Sequence, residues 1–124
     1  MLLYAQLFIL ALLAFLDVWL GIFQNAYFTI WWWDIPMHFL GGVWAGLFAA
    51  WLLERYKKRF LIIQCAAIAL SIGVCWEIFE YAFGIGGSVF MTYWADTIKD
   101  LCMDALGGTV AGAVAYLERD LWQK

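Results

Sequence analysis

The chain has 124 residues, 67% hydrophobic and 20% aromatic, with a mean hydropathy of +0.84 and a formal net charge of -3. A soluble domain is roughly half apolar, so this composition excludes an ordinary soluble protein and indicates an integral membrane protein. Residues 1–124 leave room for one domain, and no basic, aromatic-rich surface points to nucleic acid.

Four apolar segments follow one another at about 2–23, 35–53, 60–83 and 97–118. Each is close to the roughly 20 residues a helix needs to span a bilayer. The first is apolar from Leu2, without a basic leader or a small-residue cleavage site, and reads as a retained helix. It breaks at Gln24 and Asn25, and an aromatic run then ends in Trp31, Trp32 and Trp33, which suits an interfacial belt. Pro36 fits the first turn of the second helix, where its missing N–H is no loss, and Asp34 is placed to cap that helix.

The second segment gives way to Glu54, Arg55, Lys57, Lys58 and Arg59. The third runs into Gly84, Gly86, Gly87 and Ser88, and the fourth ends toward Arg119 and Lys124. Lys and Arg mark cytoplasmic loops, so the basic loop and the C-terminus are expected in the cytoplasm, and with them the N-terminus. The fold expected is all-α: an integral membrane four-helix bundle with both termini inside. Cys65, Cys75 and Cys102 form no CxxC or paired framework and read as small packing residues in helices.

One pattern occurs twice, 66 residues apart: DIPMHFLGGVWAG at 34–46 and DLCMDALGGTVAG at 100–112. Asp34, Met37, Leu40, Gly41, Gly42, Ala45 and Gly46 recur as Asp100, Met103, Leu106, Gly107, Gly108, Ala111 and Gly112. His38 is replaced at its equivalent position by Asp104, so one ionisable residue answers another. Copies of like orientation suggest two parallel helix-hairpin repeats about an axis along the membrane normal. Small residues four apart let membrane helices approach closely, so the second and fourth helices are expected to cross at their glycines.

The acidic residues are not scattered. Asp17, Asp34, Glu77, Glu80, Asp96, Asp100 and Asp104 all fall toward the outer side under this topology, together with the sole histidine, His38. Asp34 and His38 share a helical face, as do Asp96, Asp100 and Asp104, and Glu77 with Glu80. Ionisable residues inside a membrane are rare and mark sites by default. Crowded carboxylates in a low-dielectric setting share protons or bind a cation. The expected ligands are Asp34, His38, Glu77, Glu80, Asp100 and Asp104, with His38 and Glu77 also candidates for catalysis. Carboxylates with one imidazole suit Mg²⁺, Mn²⁺ or Ca²⁺, and Zn²⁺ or Fe²⁺ through the histidine. Each residue also has a plainer reading. Asp34 and Asp96 can be helix caps, Asp17 a single hydrogen-bonded residue and the paired glycines packing alone.

At the Asp34…His38-Phe39 block with its glycines, at Trp76-Glu77-Ile78-Phe79-Glu80-Tyr81, and at Asp96-Thr97-Ile98-Lys99-Asp100 continuing to Asp104 and Gly107-Gly108, the chain resembles the YjdF-like family. That family comprises small bacterial inner-membrane proteins and is defined as a domain of unknown function. The resemblance implies a multi-pass protein of the bacterial inner membrane. More distantly the chain resembles VanZ-like proteins, connected with glycopeptide resistance, in its plan of an Asp/His helix, a Glu helix and an Asp helix. It departs from them in lacking the Arg before the last Asp motif and in having Asp104 where Asn is usual.

Three functions fit these residues. One is a metal-dependent hydrolase or transferase acting on a lipid headgroup or a lipid-linked phosphate or glycan. Metal ions polarise a phosphoryl oxygen and activate water, and a carboxylate or His38 can serve as base. The chain shows no phosphate-binding arginine, nucleophile motif or Gly-rich phosphate loop. The second is a cation- or proton-coupled transporter, opposed by an almost apolar cytoplasmic half unless a homo-oligomer completes the path. The third is an accessory protein of the VanZ-like kind, its carboxylates joining helices. So many like charges exceed what such joining requires, and the sequence favours the enzyme narrowly.

Overall fold

The computed structural model describes residues 2–56, 62–85 and 88–122. The basic residues Lys57, Lys58, Arg59 and Lys124, and Gly86 and Gly87, lie outside the described residues. The fold is all-helical among the described residues. Helix α1 (Leu2–Phe15) continues without a break as a π-helical stretch, Leu16–Phe23. A short α2 (Ala26–Thr29) follows, then α3 (Asp34–Arg55), α4 (Ile62–Phe83) and α5 (Tyr93–Trp122).

Among the described residues, three helices are long and apolar enough to cross a membrane: Leu2–Phe23, Asp34–Arg55 and Ile62–Phe83. Helix α5 has 30 residues, roughly 45 Å at 1.5 Å per residue. Its length suffices, but it carries most of the acidic cluster. It begins four residues before the expected start at 97, because Asp96 donates its backbone N–H to Thr92 and joins the first turn. The chain reverses before α2 at Asn25, which takes the left-handed conformation (φ 56°) that Asn tolerates better than most residues.

The helices alternate in direction. Leu2 of α1 packs with Leu47, Ala49 and Ala50 of α3, Cys65 of α4 and Ala111 and Ala115 of α5 at one end. The π-helical stretch, the start of α3, the end of α4 and the start of α5 meet at the other, hereafter the acidic end. Helix α3 is central and packs most extensively on α5. Both are lined with small residues where they touch. A side chain on Gly42 would strike the Asp104 backbone, one on Gly46 would strike Gly108, and one on Gly107 would strike Phe39 and Gly42. The expected crossing of the two glycine segments is therefore present. Gly108 and Gly112 themselves turn to α4, Gly108 against Ala69 and Cys65 and Gly112 against Cys65 and Ile62.

The burial pattern is inverted relative to a soluble protein. Leu7, Phe8, Trp19, Ile63, Ile78, Leu106 and Leu117 point outward, while alanines, glycines and carboxylates fill the interior. An apolar exterior of this extent calls for an apolar solvent. Cys65 is a buried packing residue as expected, whereas Cys75 and Cys102 face outward.

Candidate functional site

The site is built at the acidic end from three helices. From α3 come Asp34 and, one turn further in, His38. From α5 come Asp96, Lys99, Asp100 and Asp104, and from α4 comes Glu77. His38, Glu77, Asp100 and Asp104 are 8%, 7%, 3% and 5% exposed, so these groups are withdrawn from solvent.

His38 is the hub. Its Nδ1 lies 3.4 Å from Asp104 Oδ2, within hydrogen-bond reach. Its Nε2 faces three other carboxylates: Asp34 Oδ1 at 3.5 Å, Asp100 Oδ2 at 3.9 Å and Glu77 Oε1 at 4.0 Å. Charge-assisted N–H···O bonds run at about 2.7–2.9 Å, so none of these three is one. With Nδ1–H given to Asp104, Nε2 presents its lone pair to three oxygens. Such a face is repulsive unless a proton or a metal cation stands in it.

Lys99 is a second hub. Its Nζ donates to Asp96 Oδ1 at 2.7 Å and Asp34 Oδ2 at 3.0 Å. Asp100 Oδ1 is also 3.0 Å away, an ion-pair distance. That oxygen nonetheless has no hydrogen-bond partner, so the contact is coulombic in distance but misses the directional requirement of a hydrogen bond. Glu77 Oε1 is likewise buried and unpartnered. Its other oxygen, Oε2, accepts a 2.7 Å bond from Thr97 Oγ1, which fixes the carboxylate. Five carboxylates (Asp34, Glu77, Asp96, Asp100, Asp104) thus surround one lysine and one histidine. Such crowding of carboxylates in a largely buried volume is relieved by taking up protons or a cation.

Asp34, His38 and Asp100 bring ligand atoms within 4.8 Å of one another and can hold a metal ion. Metal–ligand bonds of about 2.0–2.1 Å put donors sharing an ion roughly 3–4 Å apart, and the spacings around Nε2 fall in that range. Glu77 Oε1 lies 4.0 Å from Nε2, beside this group. Asp104 sits behind the imidazole, where a carboxylate fixes tautomer and ring orientation.

Glu80 is not brought to His38. It is half-buried, and its Oε1 accepts a 3.0 Å bond from Trp76 Nε1 one turn back on the same helix. Asp34 does not cap α3: it is the first helical residue, preceded by Trp33 in helical conformation, and its carboxylate turns to His38 and Lys99. Asp96 is buried, and its carboxylate is held by Lys99, so it is not a solvated cap. Asp17 accepts a 2.6 Å bond from Tyr27, matching its reading as a hydrogen-bonded residue. Burial first, and Asp17 second, hold the Tyr27 phenol well above its ordinary pKa. The Tyr27 ring packs on Gly21, 2.5 Å from where a Cβ would be.

Thr97, Gly73 and Lys99 are not among the ligands expected from the sequence. Gly73 of α4 lies against Asp104, and any side chain there would run into the carboxylate. Lys99 was findable as the one basic residue away from the basic loop and the C-terminus. Thr97 and Gly73 carry no signal outside a folded structure.

Beside the cluster, α4 and α5 part to form a cleft of about 310 Å³. Val74, Ile78, Tyr81, Tyr93, Trp94 and Leu101 line it, with Glu77 and Thr97 as its polar members. Glu77 therefore belongs both to the His38 cluster and to an apolar cleft on the outside of the bundle.

No curated protein and no solved structure matches the chain. A family model does match, that of a predicted membrane protein (DUF2238), over residues 1–120, a range that contains every residue of the cluster. The chain belongs to this membrane-protein family, in keeping with its YjdF-like motifs.

Proposed function

We propose that this is a four-helix protein of the bacterial inner membrane, with both termini cytoplasmic, in which Asp34, His38, Glu77 and Asp100 hold one divalent cation. It is a metal-dependent enzyme acting on a lipid headgroup or a lipid-linked phosphate or glycan at the outer leaflet. The observation that carries the reading is the two-sided histidine. Nδ1 is anchored on Asp104 while Nε2 faces three carboxylate oxygens at 3.5–4.0 Å with no hydrogen bond among them. The mixed imidazole and carboxylate donors suit Mn²⁺ or Zn²⁺ better than Ca²⁺.

The bound ion supplies Lewis-acid polarisation of a phosphoryl or carbonyl oxygen and a more acidic water. The protein's own groups do the rest. Asp104 keeps the Nε2 lone pair aimed at the site, Thr97 keeps Glu77 turned inward, and Lys99 holds Asp34 and Asp96. Glu77 also borders the cleft, so water or substrate arriving along it meets the cation beside this carboxylate, with Glu77 or His38 the candidate base. The cleft's apolar and aromatic lining suits a lipid chain whose headgroup lies at the acidic end.

Packing favours an enzyme over a transporter. Beyond the cluster, α3 and α5 meet through Gly46, Ala49, Gly108, Ala111 and Ala115, all buried or in direct contact. These small residues leave no polar lane along that interface.

The test is the metal content of the full chain purified into lipid nanodiscs, for the wild type and for His38→Ala and Asp100→Ala. About one divalent ion per wild-type chain, lost in both variants, is expected. A metal-free wild type would sink the site. Turnover of outer-leaflet lipid phosphates supports the enzyme, and ion flux in liposomes without turnover overturns it in favour of transport. Reporter fusions after Tyr56 and at the C-terminus are expected to report the cytoplasm.

A further inference from the structure

Around Lys99 the same donors that face His38 form a second, adjoining position. Asp34 offers Oδ1 to His38 and Oδ2 to Lys99, and Asp100 offers Oδ2 to His38 and Oδ1 to Lys99. Asp96 completes the Lys99 side with Oδ1 at 2.7 Å. Two bridging carboxylates and one terminal carboxylate are the oxygen donors a hard divalent cation takes. Here they converge on an ammonium, a compact point charge carried by the chain. The fit is incomplete: Asp100 Oδ1 is 3.0 Å from the nitrogen yet makes no hydrogen bond, and Asp100 is 3% exposed. An ion, which imposes weaker directional demands than an N–H donor, would satisfy that oxygen.

We propose that Lys99 is a built-in cation occupying the second position of a two-cation site, so that the native protein holds a single metal ion beside His38. This rests on the metal reading above and adds to it a cause for one ion instead of two. It assigns Lys99 to setting the number of ions, as a positioning residue, not to touching substrate. Removing the ammonium leaves Asp34 Oδ2, Asp96 Oδ1 and Asp100 Oδ1 uncompensated beside one another, and a second divalent ion is the available replacement.

The experiment uses the full chain in nanodiscs, dialysed against fixed free Mn²⁺, with bound manganese counted and Mn²⁺ electron paramagnetic resonance recorded. The wild type is expected to hold one ion with an isolated-ion spectrum. Lys99→Ala is expected to hold two, with the broadened spectrum of a coupled pair. Lys99→Ala with Asp96→Asn is expected to return to one, and Lys99→Arg, which keeps the charge, to stay at one. Lys99→Ala with a single ion and an unbroadened spectrum overturns the proposal while leaving the metal site standing. A wild type without manganese overturns the metal reading itself. If Lys99→Ala folds only when Mn²⁺ is present, that dependence supports the proposal. If it fails to fold even with Mn²⁺ while Lys99→Arg folds, the proposal is overturned.

Discussion

Asp34 and Asp100, on different helices, each split their two carboxylate oxygens between His38 and Lys99. The pair thereby ties α3 to α5 through two cationic hubs at once. Asp100 is the more deeply buried of the two, so its replacement removes more. Asp100→Asn is expected to lower Mn²⁺ affinity by at least 100-fold, and Asp34→Asn by about tenfold less, in equilibrium dialysis, on the scale of lost ligands and their supports. Equal losses would place the two carboxylates on the same footing and contradict the geometry.

Asp104 acts on the cation only through the imidazole. Asp104→Asn is therefore expected to weaken Mn²⁺ binding by roughly 10–100-fold while the protein remains folded. Titration of the purified variant, with its thermal unfolding as control, checks this. An unchanged affinity would show that the Nδ1 contact at 3.4 Å does not set the ring.

Two glycines near Asp104 separate packing from function. At Gly42 a new methyl meets Asp104 backbone atoms, which cannot step aside without moving α5. Gly42→Ala is expected to destabilise by about 1–3 kcal/mol or more. At Gly73 the methyl meets the far end of the Asp104 side chain, which can swing away. Gly73→Ala is then expected to destabilise less than Gly42→Ala and to reduce cation affinity, because the swing takes Asp104 off His38. Unfolding in detergent read beside metal titration distinguishes them, and identical behaviour of the two variants would refute the distinction.

Thr97 holds one oxygen of Glu77 at 2.7 Å. Thr97→Val keeps the volume and removes the donor. A net loss of about 1–3 kcal/mol in orienting a buried carboxylate is expected. It should appear as a weakened Mn²⁺ site, smaller in effect than Glu77→Gln. No loss in either variant would take Glu77 out of the donor set.

Tyr27 and Asp17 lie apart from the cation positions. Tyr27→Phe is expected to lower stability by about 1–2 kcal/mol without changing metal content. Since the folded phenol titrates above its ordinary range, its contribution is fully present below the unfolded value of about 10 and is lost only as pH rises above it. The stability gap between wild type and variant should hold constant from about pH 6 to 9.

The helices, their order and the identity of the clustered groups were legible in the sequence because hydropathy and helical spacing depend on near neighbours alone. The same spacing placed Asp34 beside His38 and Asp100 beside Asp104. It could not place Glu80, whose side-chain partner, Trp76, is a matter of rotamer and not of helical face. Nor could it reveal Gly73 or Thr97, whose roles exist only once α4 lies against α5. The capping role read for Asp34 failed for a related reason. A carboxylate at a helix start can bond its own backbone or a distant cation, and here Lys99, 65 residues away, competes successfully.

The two segments that share a pattern bring one matched pair into contact, His38 with Asp104, at the repeat distance of 66 residues. Had the copies been identical there, two imidazoles or two carboxylates would have faced each other across the helix crossing. A pair of carboxylates would repel, and a pair of imidazoles would leave neither ring with a fixed tautomer. The unlike pair turns a degenerate contact into a polar one with a direction. It gives an otherwise repetitive interface one defined front and one defined back.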